Sequence, residues 1–140
     1  MNAESENLDL DPNPYPEGEL ATQTITLPAD TNQDGEIHGG WLACQMDMAA
    51  HLACSKVAKG KVATVVIENI SFLAPISIGS VVGCYTKIQG VGRSSIRVSV
   101  EAWVSHVVKG EEWTKVAEGA FIFVAIDGNG RTRAIPRTKE

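Results

Sequence analysis

One long stretch, whose apolar second half contains a single acidic residue, constrains this chain more than any other feature. It runs from Asn32 to Ala58, begins as a polar turn, passes through Gly39 and Gly40, and continues as a run rich in Ala, Met and Leu. The apolar half contains one carboxylate, that of Asp47. Because a buried carboxylate without a partner costs free energy, Asp47 is expected to be paired, exposed to solvent or used in chemistry.

The apolar stretch predicts one central helix from about Gly39 to Ala58. Apolar residues recur in it at spacings of three and four, which is the pattern of one helix face. The residues of this face are Leu42, Met46, Ala49, Ala53 and Val57. Gly60 is expected to end the helix, with Lys56 and Lys59 suited to the negative end of the dipole. The opposite face also carries little charge, so a helix enclosed on most sides is expected.

Five alternating segments around this helix predict β-strands. One precedes the helix and four follow it, at residues 19–27, 63–72, 80–88, 95–107 and 113–126. The later four are joined mainly by short turns, and short connections make neighbouring strands antiparallel. The order predicts an α+β fold, with an antiparallel sheet of about five strands packed around one long central helix.

Length and charge indicate one domain with an acidic end. The 140 residues are enough for one core, predicted over residues 19–136, with tails at 1–18 and 137–140. The first tail is acidic, contains three prolines and is predicted to be disordered. Six acidic and no basic residues lie in the first 20, so with a net charge of −5 the rest is near neutral. No nucleic-acid partner is therefore predicted.

The apolar runs and the cysteines predict a cytoplasmic protein. No run approaches the roughly 18 apolar residues of a membrane span, and no signal peptide is visible. Cys44, Cys54 and Cys84 lie in apolar segments without metal-ligand spacing. They are interpreted as reduced, buried thiols, with a catalytic cysteine as the alternative. Neither a membrane association nor a bound metal ion is predicted.

The loop and the glycine pair before the helix form a first candidate site. Two glycines at a helix start expose backbone N–H groups at the positive end of the dipole, which can hold a carbonyl oxygen or an anion. Alternatively, Gly39 and Gly40 only allow another element to approach closely. Asn32 and Asp34 are turn residues unless one of them orients a water molecule. His38 is either a loop histidine or a hydrogen-bond donor to a substrate.

Asp47 is a second candidate, about two turns into the helix. Its carboxylate can act as a base on water or as a nucleophile toward a carbonyl carbon. Alternatively it pairs with a lysine or reaches solvent, and His51 at i+4 is a possible helical partner. His106 lies near a strand end, where an exposed position is expected.

The basic turn at residues 90–95, GVGRSS, is a third candidate. Such a turn can present backbone N–H groups and a guanidinium to phosphate, or it is a β-turn with one exposed arginine. The sequence contains no Ser-His-Asp order, P-loop or dinucleotide-binding motif.

Taken together, these segments resemble those of a known family. The chain is similar to the hotdog-fold acyl-CoA thioesterases, most closely to the YciA-like group, over about residues 20–136. The runs that carry the resemblance are PADTNQDGEIHGGWLACQMDMAAHLA, FLAPISIGSVV, VGRSSIRVSVEAWV and a strand ending in FVAID. The resemblance implies a sheet wrapped around the helix and two subunits paired edge to edge, with active sites at their interface. It also implies hexamers built as trimers of dimers.

The resemblance further implies an acyl-CoA thioester hydrolase that releases a free carboxylic acid and CoA and needs no metal or redox cofactor. Asp47 would be the catalytic carboxylate, and Asn32 would position the water or the thioester from the partner chain. The Gly40 N–H would polarise the thioester carbonyl. The residues implied in binding substrate and CoA are His38, Gly39, Gly92, Arg93, Ser94 and Ser95. YciA-like sequences usually have Phe where this chain has His38, and an HGG triplet is more typical of the PaaI-like branch.

Two other functions are compatible with these residues. A non-catalytic acyl-CoA-binding hotdog module would use the same fold, although the 18-residue acidic tail is unlike a fused DNA-binding segment. A hotdog enoyl-CoA hydratase or dehydratase would need a histidine paired with the acid, and only His38 or His51 could serve. An assay of thiol release, ligand binding and enoyl product distinguishes the three.

Overall fold

Residues 15–106, 108 and 112–137 are described by the structure, a computed structural model. It contains one helix, α1 (Gly39–Ala58), preceded by a short 3₁₀ turn, Pro28–Asp30. The five strands are β1 (Glu19–Ile25), β2 (Val62–Phe72), β3 (Ser80–Val91), β4 (Ser95–His106) and β5 (Thr114–Ala125). These bounds lie within three residues of the predicted ones, and the predicted α+β fold is confirmed. The predicted disorder of residues 1–18 concerns mostly residues 1–14, which lie outside the described residues.

All pairs of neighbouring strands are antiparallel, and their order in the sheet is β1-β3-β4-β5-β2. The first two strands in the chain are therefore the two edges of the sheet. Helix α1 connects these edge strands and packs against all five strands. This arrangement brings the middle of the helix close to the edge strand β2. No helix in the described part of the chain is both long and apolar enough to cross a membrane.

The core lies between α1 and the side of the sheet that faces it. Met46, Ala49 and Ala50 are fully buried and belong to the same cluster as Phe121 and Phe123 of β5. The two alanines let the helix lie close to the sheet, and the large side chains fill the remaining space. Strands β3 and β4 supply alternate residues to this cluster, as the sequence pattern predicts.

Two expectations about burial are wrong. Helix α1 is not enclosed on most sides, because Cys44, Met48 and Leu52 are exposed. A single sheet can cover only one side of a helix, so its other side stays open in a single chain. For the same reason only Cys54 and Cys84 are buried thiols, and burial raises their pKa to about 12 and about 11.

The buried side of α1 is also turned slightly from the predicted one. Ala53 and Val57 are half-buried, while Ala50, Cys54 and Ala58 are fully buried. The helix runs between two edge strands, and this path sets its rotation relative to the sheet.

The end of the helix is capped by backbone geometry. Lys59 adopts the left-handed conformation, with φ of 55°, and its N–H donates to the Ser55 carbonyl. Gly60 follows, and a Cβ at this position would lie 2.7 Å from the Arg133 guanidinium. The end of α1 is thus in contact with a segment close to the C-terminus of the chain.

Two methionines on α1 provide a matched test of this packing. Met46→Ala removes a fully buried side chain and should lower the free energy of unfolding by about 2–5 kcal/mol. Met48→Ala removes a side chain that is 44% exposed and should cost less than about 1 kcal/mol. Urea unfolding at one protein concentration measures both changes. Equal losses of stability in the two variants would contradict the position of the core.

Candidate active site

The first turn of α1 presents backbone N–H groups without acceptors. The first helical hydrogen bond runs from the Leu42 N–H to the His38 carbonyl, at 3.2 Å. Among the described residues, the N–H groups of Gly39, Gly40 and Trp41 therefore have no acceptor. They lie at the positive end of the helix dipole, where a carbonyl oxygen or an anion is stabilised.

Packing within the chain does not require the glycine pair. A Cβ at Gly40 would meet nothing within 4 Å, and one at Gly39 would only touch the Phe72 ring at 3.5 Å. Glycine costs stability in a helix, so two glycines at this point need a reason beyond local packing. The open space beside Gly40 fits a ligand or a second chain placed against the free N–H groups.

Asn32 is a turn residue with part of its side chain unused. Its Oδ1 accepts the N–H of Asp34 at 2.8 Å and that of Glu36 at 3.1 Å. Its own N–H donates to the Glu36 carbonyl at 2.7 Å. The side-chain amide nitrogen has no partner among the described residues, and it can donate two hydrogen bonds to a water or a carbonyl.

Asn32, His38 and Gly39 meet at one cleft of about 400 Å³. Its apolar wall comes from the start of the helix, the end of β2 and the loop after it; among its members are Ile37, Leu42, Phe72, Leu73 and Ile76. The loop is held in place by a hydrogen bond from the Ile37 N–H to the Ile76 carbonyl, at 3.1 Å. The cleft has the size and mixed lining of a small-molecule site.

Asp47 lies outside this cleft and has its own partner. Its Oδ1 accepts a hydrogen bond from the Thr64 hydroxyl at 2.8 Å. Thr64 is on the edge strand β2, next to an irregularity in its pairing with β5. The carboxylate is half-buried, and its Oδ2 has no partner among the described residues. One oxygen is thus held in place while the other is available for a reaction.

Thr64 carries no signal in the sequence that singles it out. It is one residue of an alternating, β-branched strand, 17 positions after Asp47. Only the path of the chain, which runs from the helix back along the sheet edge, brings the two side chains together. Sequence reasoning therefore missed it.

The histidines are not paired with the acid. His51 packs edge-on against Phe123, with ring centroids 5.8 Å apart, and makes no hydrogen bond to Asp47. His38 is exposed at the start of the helix. His106 is half-buried, which differs from its expected exposure, because it pairs with Ser80 of β3 at the end of β4. Among the described residues, no group of three or more His, Cys, Asp or Glu is placed to hold a metal ion.

The predicted phosphate turn lies at the other end of the molecule. Gly92 closes it by donating to the Ser95 carbonyl at 2.7 Å, and Arg93 is exposed. The Ser94 carbonyl accepts from Ala125, which pairs with Val62 at the start of β2. The end of β2, beside Gly39, is about 30 Å of strand away. One chain therefore does not bring this turn to the glycine pair.

Comparison with known proteins gives a consistent result. The sequence pattern of the thioesterase superfamily matches residues 34–110, more than half of the chain. An uncharacterized acyl-CoA thioester hydrolase of Haemophilus influenzae is 46% identical over 123 residues, which are 86% of this chain and 79% of that protein. The acyl-CoA thioester hydrolase YciA of Escherichia coli is 40% identical over 86% of this chain and 93% of its own. A hexameric thioesterase of Yersinia pestis superposes with a TM-score of 0.84 at 40% identity, covering 89% of this chain and all of that one.

Proposed function

This chain belongs to the YciA-like acyl-CoA thioester hydrolases of the hotdog-fold thioesterase superfamily, and from this membership we propose that it cleaves acyl-CoA at a site built by two copies of the chain. The products are the free carboxylic acid and CoA. The observation that carries the proposal is the distance between the two groups that the reaction needs. The Asp47 carboxylate and the N–H groups at the start of α1 belong to one helix, but they are too far apart to act on the same substrate molecule.

Gly40 and Asp47 are seven positions apart on α1, which is about 10 Å along the helix axis. If the Gly40 N–H binds the carbonyl oxygen, the carbonyl carbon lies about 1.2 Å beyond that oxygen. The group that reacts with this carbon must lie within about 3.5 Å of it. The Asp47 side chain is instead directed to Thr64 on β2. Asp47 of the partner subunit, brought in from the opposite side, is the carboxylate that meets this geometry.

The free edge of β2 supports such a pairing. Among described strands β2 has a neighbour on one side only, and Val65, Val66 and Ile67 on it are 52%, 41% and 50% exposed. An apolar, unpaired strand edge is a site for association with another chain. Two copies that pair here about a two-fold axis bury these residues and form two equal sites. The homodimer is thus the proposed minimal active unit.

In the proposed reaction the Gly40 N–H and the start of α1 bind the thioester oxygen. The Nδ2 group of Asn32 donates to the thioester or to the attacking water. Asp47 of the partner subunit takes a proton from water, and the hydroxide adds to the acyl carbon. The C–S bond then breaks, and the CoA thiolate takes up the proton from the carboxyl group. Direct attack by the same carboxylate, followed by hydrolysis of an anhydride, is the alternative route.

The remaining predicted residues bind the substrate in this proposal. His38 and Gly39 border the cleft that leads to the oxyanion site, and the turn with Gly92, Arg93, Ser94 and Ser95 faces the CoA phosphates. The chemistry uses water and side chains alone, so no cofactor is proposed. Assembly into a hexamer as a trimer of dimers is proposed because the Yersinia pestis relative is hexameric. Three free thiols support a cytoplasmic location.

The two alternative functions fit the structure less well. A hydratase needs a histidine that works with the acid, but His51 packs on Phe123 and Asp47 is bonded to Thr64. A binding module has no need of a carboxylate with one oxygen held and one available.

Asp47→Asn should lower kcat/KM for acyl-CoA by roughly a hundredfold or more, because the amide can neither take a proton nor attack carbon. Cys44→Ala is the matched control. Cys44 lies one turn away on the exposed side of the same helix, and its removal should leave the rate unchanged. Thiol release measures both variants. An Asp47→Asn protein with the wild-type rate would exclude this carboxylate, and a slow Cys44→Ala protein would favour a catalytic cysteine.

Thr64→Val should lower kcat roughly tenfold with little change in KM, because the carboxylate loses the hydrogen bond that orients it. Thr64→Ser keeps a hydroxyl at this position and should recover most of the activity. Thermal unfolding of both variants separates this effect from a loss of stability. The positioning role is wrong if serine and valine behave alike, or if only KM changes.

Co-expression of Asp47→Asn and Asn32→Ala chains tests the shared site. A mixed dimer has one site with both substitutions and one with neither, so random pairing should restore about a quarter of wild-type activity. Each variant alone should remain slow. If Asp47 and Asn32 served one site within the same chain, mixing would restore nothing.

A further inference from the structure

The C-terminal segment, residues 126–137, is firmly attached to the basic turn. The Ile135 N–H donates to the Arg93 carbonyl at 2.8 Å, and the Ile135 side chain is buried in the core. The Arg137 guanidinium donates to the Gly92 carbonyl at 2.7 Å. The segment therefore lies beside the turn at a fixed place.

A second set of bonds attaches the segment to the start of β2. The guanidinium of Arg133 donates to the Ile126 carbonyl at 2.8 Å and to the Lys61 carbonyl at 3.3 Å. It also lies beside Gly60 at the end of α1, where an added Cβ would be 2.7 Å from it. Arg133 is thus a structural residue, which joins the helix end, the edge strand and the segment.

These contacts gather many positive charges and few negative ones. The segment and its neighbours contribute six cationic side chains: Lys59, Lys61, Arg93, Arg131, Arg133 and Arg137. Asp127 is the one carboxylate of the segment, and hydrogen bonds from the N–H groups of Arg131 and Asn129 hold its pKa below the usual value. The three ion pairs found among the described residues involve Arg97 and Lys115, which are not part of this group.

Like charges that outnumber nearby carboxylates raise the free energy of a protein unless an anion binds there, and Asp127 is the one carboxylate of the segment. Arginine suits phosphate, because its planar fork donates two parallel hydrogen bonds. Among the described residues, the guanidinium groups of Arg93 and Arg131 have no partner, and that of Arg137 uses one of its nitrogens. The C-terminal segment therefore adds available donors to the turn.

We propose that Arg131 and Arg137 of the C-terminal segment bind the phosphates of the CoA nucleotide, together with Arg93 of the turn. The inference rests on the proposed function, since it assigns the nucleotide end of the same substrate. The segment then determines selectivity for CoA thioesters over thioesters that lack a nucleotide.

Two substrates with the same acyl group test this role, an acyl-CoA and the matching acyl-N-acetylcysteamine thioester. Arg131→Gln and Arg137→Gln should each raise KM for acyl-CoA about tenfold, the effect of losing one charged hydrogen bond, with kcat unchanged. KM for the short thioester should stay within about twofold, because this substrate has no phosphate. Arg97→Gln is the matched control, since Arg97 pairs with Glu68 outside the group, and it should change neither substrate.

Salt provides a second readout. The KM of the wild type for acyl-CoA should rise with ionic strength, and a protein with both Arg131→Gln and Arg137→Gln should respond less. The affinity for CoA itself, measured by calorimetry, should be lower in each single variant than in the wild type and lowest in the protein with both substitutions. Arg131→Gln serves as the variant that keeps the structure, since its side chain holds no described contact.

The outcomes separate this inference from the proposed function. If both thioesters are hydrolysed and the arginine variants keep the wild-type KM and CoA affinity, the role of the segment is wrong. Equal effects on both substrates would indicate a structural role and also overturn it. If the wild type hydrolyses neither thioester, the proposed function fails, and CoA binding alone then decides the role of the arginines.

Discussion

The burial of one side of α1 against a single sheet is the constraint on which the rest of the structure depends. The helix has to cover the sheet while it connects the two edge strands. Alanines at the contact let it lie close to the strands, and Met46 fills the space against Phe121 and Phe123. The position of each polar group then follows from its place along the 20 residues of the helix.

This arrangement separates the parts of a site within one chain. The free N–H groups are at one end of the helix, and the acid is near its middle beside β2. Lys59, Lys61 and Arg133 lie at its far end. In the proposed dimer, an antiparallel partner at the edge of β2 reverses that order. It brings the acid and the cationic end of one chain toward the helix start of the other. The proposed two-fold pair would bring together two groups that one helix holds apart, because both are attached to the same rigid element.

The sequence predicted the elements well, since alternation in strands and three-four spacing in a helix are local consequences of burial. The exposed side of α1 was missed because Cys44, Met48 and Leu52 are apolar enough to suggest full burial. The hydropathy of a side chain indicates that it favours burial, but not whether another part of the structure covers it. The attachment of the C-terminal segment through Ile135 and Arg133 depends on contacts with distant parts of the chain, so no local pattern predicts it.

The sequence by itself determined the α+β fold, the helix with its lone acid, the glycine pair and, through resemblance, the family. These depend on local patterns or on the order of motifs. The tertiary structure decided that Thr64 holds Asp47 and that Asn32 shares a cleft with Gly39. It also decided that the Asp47 carboxylate and this cleft lie apart in one chain. The physical reason is that such relations depend on strand order and on the path of the chain between edge strands, which no local spacing specifies.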